Sequence, residues 1–156
     1  MERLEKIGFG GGCHWCTEAV FQSLDGVNKV DQGYIASIGE AKAMNEAVIV
    51  HFNPDIIALQ KLIKAHLHTH NATSKHSFRK KYRSAVYYFS EIQKEASKDL
   101  LAVFQMDFSE KIITQVLPFS EFKPSRESIQ DYFRKNPEAP FCQRYILPKL
   151  EKIKAF

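Results

Sequence analysis

Three consecutive glycines, Gly10, Gly11 and Gly12, stand between an apolar segment and a helical one, and they constrain the fold of this chain more than any other feature. Leu4, Ile7 and Phe9 ahead of them read as a first strand. Glycine lets a chain leave a strand in a tight turn and brings its backbone close to whatever lies opposite. Beyond the glycines the spacing predicts a helix that begins near Cys16, carries Ala19, Val20, Phe21 and Leu24 on its inner face and stops at Asp25-Gly26. The residue at the junction, Cys13, therefore faces the unpaired N–H groups of a helix mouth.

The remaining pattern alternates strands and helices. Strand signals run from Val27 to Tyr34 and from Ala47 to Phe52. Asn53-Pro54 breaks the second, and Ile56, Leu59, Ile63 and Leu67 recur at helical spacing over residues 55–68. A polar, histidine-bearing loop reaches Lys81, Ala85 to Phe89 predicts a strand, and Ser90 with Gln93 forms a capping-box pattern opening a helix toward Phe104. Ile112 to Leu117 is expected to close the sheet, and Ser125 to cap a last helix through Lys135, ahead of the Pro-rich segment bearing Cys142. Strands that alternate with helices but also follow one another predict an α+β fold, a mixed β-sheet with flanking helices. With 156 residues, 44% of them hydrophobic, and no repeat or linker, the chain reads as one domain over residues 1–156.

Charge excludes more than it suggests. The net charge is only +4, and the basic residues are scattered apart from Arg79, Lys80, Lys81 and Arg83, which read as a solvated loop, so no nucleic-acid partner is expected. The N-terminus lacks the apolar stretch of a signal peptide, and no run approaches the length of a membrane span. The expectation is a cytoplasmic protein without a membrane partner. Three cysteines in such a chain point to catalytic, redox or metal chemistry rather than to disulfide staples.

A cysteine directly after three glycines and at a helix mouth has its thiolate stabilised by free N–H groups and the helix dipole. Cys13 is thus a candidate nucleophile, against the plainer role of a small apolar residue at a strand-helix packing point. Cys16 completes a C-x-x-C pair, open to disulfide exchange or to half of a zinc site. His66, His68 and His70 could add metal ligands, although as the end of a helix they also suit its dipole, and no metal is expected.

The segment GGGCHWCTEAVF resembles the G-C-F-W signature of the A-type peptide methionine sulfoxide reductases. Gly33-Tyr34, Asn45-Glu46-Ala47-Val48, Lys81-Tyr82-Arg83-Ser84-Ala85, Lys135-Asn136-Pro137 leading to Cys142, and Pro148-Lys149-Leu150 resemble further motifs of that family in the same order, nearly end to end. The resemblance implies a ferredoxin-like α+β fold in which Cys13, Glu46 and Tyr82 meet in one shallow catalytic pocket. It also implies the reduction of methionine S-sulfoxide, free or in peptides. Cys13 would attack the sulfoxide sulfur while Glu46 protonates the departing oxygen, leaving Cys13 as a sulfenic acid. Tyr82 would hydrogen-bond the oxygen, and His14, Trp15 and Tyr34 would line the substrate site. Cys142 or Cys16 would condense with the sulfenic acid, and thioredoxin or another dithiol would reduce the disulfide, with no bound cofactor and a monomer as the working unit.

Three departures from the family pattern bear on the substrate. His14 stands where the motif has Phe, the segment between Tyr34 and Glu46 is short, and the family's H-D-P-T is represented by His70-Asn71-Ala72-Thr73, with Lys75-His76-Ser77-Phe78 carrying no aspartate. Rival readings are a thiol-disulfide oxidoreductase built on Cys13 and Cys16, and a non-catalytic binding module.

Overall fold

The computed structural model describes residues 4–74 and 82–156. The Lys75 to Phe78 segment and most of the basic cluster, Arg79 to Lys81, lie outside the described residues.

Among the described residues, strands β1 (Glu5–Gly10), β2 (Val27–Ala36), β3 (Asn45–Phe52), β4 (Ala85–Tyr88), β5 (Gln115–Pro118) and β6 (Glu121–Pro124) form one sheet in the order β5-β4-β1-β3-β2-β6. The β4–β5 pair is parallel and the other pairs are antiparallel. This is the expected mixed α+β sheet, which the ferredoxin-like label describes only loosely. The period of two decides which side chains cover which face. Ile7, Phe9, Val48, Val50 and Phe52 turn to the face covered by α1 (His14–Gln22), α2 (Leu59–Thr69) and α3 (Glu91–Phe104), against Val20, Phe21, Leu62, Ile63 and Phe104. Ile35, Ala47, Ile49, Ala85 and Tyr87 turn the other way into a smaller cluster. Both faces of β3 are therefore buried, so its register is strongly fixed.

Several boundaries differ from the sequence expectation for local reasons. Helix α1 begins at His14 rather than near Cys16: Cys13 is its N-cap, and the Cys13 carbonyl accepts from Cys16 N at 3.1 Å and Thr17 N at 3.2 Å. Helix α2 begins only at Leu59, because the Asn53 side chain accepts from Asp55 N at 2.9 Å and its carbonyl accepts from Ile56 N and Ile57 N, holding a turn there. Ile56 consequently faces solvent, and Ile57 takes its expected place in the core. The capping box of α3 forms with Gln93 N donating to Ser90 Oγ at 3.2 Å, but its reciprocal bond is displaced by one residue, Phe89 N donating to Gln93 Oε1 at 2.8 Å.

The C-terminal third departs most. Strand β6, unforeseen between two prolines, pairs with β2 from Gly33 to Ala36. Ser125 does not cap a long helix: its N–H donates to Gln32 O at 3.0 Å, extending the pairing with β2. Only a 3-10 turn, Glu127–Ile129, and a single helical turn α4 (Tyr132–Lys135) follow, separated by Asp131 at φ 55°. A π-helical turn, Cys142–Ile146, then runs into α5 (Leu147–Ile153).

Candidate functional site

Strand β1 ends in close contact with neighbouring segments of the chain. A Cβ at Gly10 would lie 3.1 Å from both the Arg83 and Glu46 carbonyl oxygens, and at Gly11, with φ +147°, it would strike the His70 ring. Two histidines fix this turn. His66 Nε2 donates to the Gly10 carbonyl at 2.8 Å, and the His66 and His70 rings stack at 4.1 Å. His70 Nδ1 donates to the His66 carbonyl, and His70 Nε2 meets Ser84 Oγ at 2.7 Å. His68 points elsewhere, to Asp107 at 3.0 Å. The three histidines thus serve the backbone and other side chains, and among the described residues no group of three metal-ligating side chains is gathered.

The turn delivers Cys13, half-buried, to the mouth of α1. Its thiol is lowered from an ordinary 9.0 to about 7, chiefly by a hydrogen bond from the Cys16 thiol and then by the Trp15 and Cys16 backbone N–H groups, with burial and the nearby Glu46 working against them. The same contact with Cys13, together with burial, holds Cys16 firmly as the thiol. Cys142 is fully buried, packs with Cys16, Ala19 and Ile146, and has its thiol pushed up by burial. All three cysteines are free thiols.

On one side of Cys13 stands a polar pair. His14 and Glu46 are 4% and 6% exposed. Glu46 Oε1 accepts from the His14 backbone N–H at 3.3 Å and lies 3.3 Å from His14 Nε2, while His14 Nδ1 donates to the Gly33 carbonyl at 3.0 Å. Tyr34, paired through its backbone with Glu46, meets the imidazole edge-on at 5.4 Å. Tyr82 is half-buried just before β4, where Arg83 N donates to Asn45 Oδ1 at 2.7 Å and joins that segment to the start of β3.

On the other side Trp15 is covered by the C-terminal region: it stacks on Tyr132 at 4.0 Å and meets Phe141 edge-on at 5.3 Å. What holds Tyr132 there is Glu18, unnoticed in the sequence. Its buried carboxylate accepts from Gln32 Nε2 at 2.9 Å, Asp131 N at 3.0 Å and Tyr132 N at 3.3 Å. Burial raises its pKa, and the three donors oppose that rise. The available signal was a carboxylate directly preceding the inner-face residues Ala19, Val20 and Phe21. The structure thus brings Cys13, His14, Tyr34 and Glu46 into one region and sets Trp15 beside it, against the tail.

A half-buried cysteine at a helix mouth, its thiol lowered to about 7, with a second free thiol one helical turn on and a buried carboxyl beside it, fits the class of thiol-based redox enzymes. The family model described as peptide methionine sulfoxide reductase matches residues 5–156, and the chain belongs to that family. A peptide methionine sulfoxide reductase MsrA from Pasteurella multocida is 34% identical over 94% of this chain and 92% of its own length. One from Thermus thermophilus is 35% identical over 97% and 95%. Among solved structures, Mxr1 from Saccharomyces cerevisiae in reduced form has a TM-score of 0.78 at 22% identity, over 90% of both chains. Mxr1 in complex with Trx2 has a TM-score of 0.67 at 22% identity, over 83% of this chain and 85% of that one.

Proposed function

We propose that this chain reduces methionine S-sulfoxide, free or in peptides, to methionine, with Cys13 as nucleophile. The single observation that carries the reading is the half-buried Cys13 thiol at the mouth of α1, lowered to about 7 and set beside Glu46, whose Oε1 accepts from the adjoining His14 N–H at 3.3 Å. In the reductive step the Cys13 thiolate attacks the sulfoxide sulfur and a proton from Glu46 goes to the oxygen. The oxygen ends on Cys13 as a sulfenic acid and methionine leaves. Tyr82 steadies the oxygen by hydrogen bonding, while Tyr34, His14 and Trp15 bound the substrate. A second thiol then condenses with the sulfenic acid, releasing water and forming a disulfide. The thiol contact between Cys16 and Cys13 supports Cys16 in that step, with Cys142, packed against Cys16, as the other candidate.

Two electrons from an external dithiol close the cycle, and thioredoxin is the proposed donor. A yeast protein of the same fold, Mxr1, has been crystallised with Trx2, in keeping with that choice. The reading needs no bound cofactor, metal, nucleic acid or membrane partner, and takes residues 1–156 as a single, monomeric, cytoplasmic domain. No helix among the described residues is long and apolar enough to cross a membrane.

The test incubates the protein with S- and R-methionine sulfoxide and dithiothreitol, then with thioredoxin as reductant. Wild type releases methionine from the S isomer, and Cys13→Ser releases none. Turnover with thioredoxin is lost in Cys16→Ser if Cys16 resolves the sulfenic acid, and in Cys142→Ser if Cys142 does. No Cys13-dependent methionine release sinks the reductase reading, and disulfide exchange by a Cys13–Cys16 couple in its absence would put a thiol-disulfide oxidoreductase in its place.

A further inference from the structure

Where the motif that GGGCHWC resembles has an apolar ring, this chain has His14, and that imidazole is hydrogen-bonded at Nδ1 and within ion-pair distance of a carboxyl at Nε2. A carbonyl oxygen can only accept, so the Gly33 carbonyl at 3.0 Å fixes the hydrogen on Nδ1. Nε2 is therefore the ring position left to face the carboxyl, and it lies 3.3 Å from Glu46 Oε1. The same oxygen accepts from the His14 backbone N–H at 3.3 Å, which ties the carboxyl to the helix mouth beside Cys13. Both side chains are nearly without water contact.

We propose that His14 and Glu46 form one proton-holding pair, in which His14 is the positioning residue that keeps Glu46 supplied with the proton delivered to the sulfoxide oxygen. The proposal rests on the reductase reading of the site. In each reductive step the pair gives up one proton to the oxygen and takes one back from water. Thiolate, sulfoxide and proton become sulfenic acid and methionine, so atoms and charge balance. Among the described residues the titratable groups facing the imidazole are Glu46 of β3 and Tyr34 of β2, with the Cys13 thiol adjoining it at the mouth of α1. Lys123 of β6 is paired through its backbone with Tyr34. A phenylalanine at position 14 would fill the space without offering Nε2. Without that nitrogen the proton meant for the sulfoxide oxygen is expected to be lost at lower pH, leaving a carboxylate beside Cys13.

Two readouts test this on the full chain. The first is kcat and KM against pH for methionine S-sulfoxide with dithiothreitol, in wild type, His14→Phe and His14→Gln. The high-pH limb of kcat moves down by about one pH unit or more in both variants, so that their deficit grows with pH while KM changes less. A limb that stays in place in both reduces His14 to packing and overturns the proposal. The second needs no turnover: the pH dependence of Cys13 alkylation by iodoacetamide, read by mass spectrometry. Its midpoint moves up in His14→Phe and returns in the His14→Phe/Glu46→Gln double variant, since the carboxylate that opposed the thiolate is gone. An unmoved midpoint in the single variant, or no return in the double, overturns the pairing. A wild type without Cys13-dependent turnover fails the reductase reading, and the alkylation cycle still decides the pair.

Discussion

Cys13 sits between two regions built in opposite ways. The sheet side, β1 to β3 with β6, is held by backbone ladders that run unbroken through the site end of β2, beyond a register shift between Val27 and Lys29. The tail side, residues 125–156, has short turns, a left-handed Asp131 and a π-helical turn, and is attached to α1 through side chains. Regular backbone gives the polar pair and the nucleophile fixed positions. Attachment through side chains predicts that the cover over Trp15 is released before the sheet unfolds.

The largest effect should come from breaking the sheet side at Gly33. A Cβ there would lie 2.2 Å from the Lys123 carbonyl oxygen and under 3 Å from the Phe122 ring, so β6 must move away from β2. Gly33→Ala is expected to cost about 3 kcal/mol, because backbone rather than a flexible side-chain tip must give way. The displaced Gly33 carbonyl would also release His14 Nδ1. Urea unfolding measures the cost, and a loss under about 1 kcal/mol would show that the β2–β6 ladder is looser than its register implies.

The tail side breaks differently. Glu18→Ala removes the acceptor for three N–H groups on β2 and the 131–132 turn, with an expected cost of about 2 kcal/mol. The loss is local: Tyr132 leaves Trp15, and the emission of the chain's one tryptophan shifts to the red at urea concentrations below the main transition. A Trp15 emission that changes only with global unfolding would mean that tail and sheet form one cooperative unit.

The same contrast explains what could be read from the sequence. Residues whose role follows from local pattern were legible: the inner face of α1, the strand at Ala47 to Phe52, the Ser90 cap and the Gly10–Gly12 turn all agree with the structure. The resemblance predicted Cys13, Glu46 and Tyr82 in one pocket lined by His14, Trp15 and Tyr34; of these, Cys13, His14, Tyr34 and Glu46 lie in one region, at or near a strand end or helix mouth. The tail was not legible, because its conformation answers to partners about a hundred residues away. Ser125 is committed to Gln32, and Asp131 and Tyr132 are committed to Glu18. The late start of α2 was missed for a smaller reason: the Asn53 turn outcompeted a helical apolar period that Ile56 happened to continue.

The smallest expected effect lies at the seam between the two regions, where Cys16 belongs to α1 but packs with Cys142 of the tail. Its thiol is the leading cause of the Cys13 value of about 7. Cys16→Ala removes that donor and leaves the backbone N–H groups of Trp15 and Cys16 in place, so the thiol of Cys13 rises toward 9.0 without reaching it. The sign follows from the charge: a depressed thiol is thiolate above about 7, and losing the donor moves the onset of reactivity to higher pH. The alkylation midpoint of Cys13 should rise by about one pH unit, which slows its reaction at pH 7 several-fold while leaving the rate at pH 10 nearly unchanged. A midpoint that stays near 7 would assign the activation of Cys13 to the helix mouth alone. The seam would then matter only for packing, and the Cys16 thiol would have no part in preparing the nucleophile.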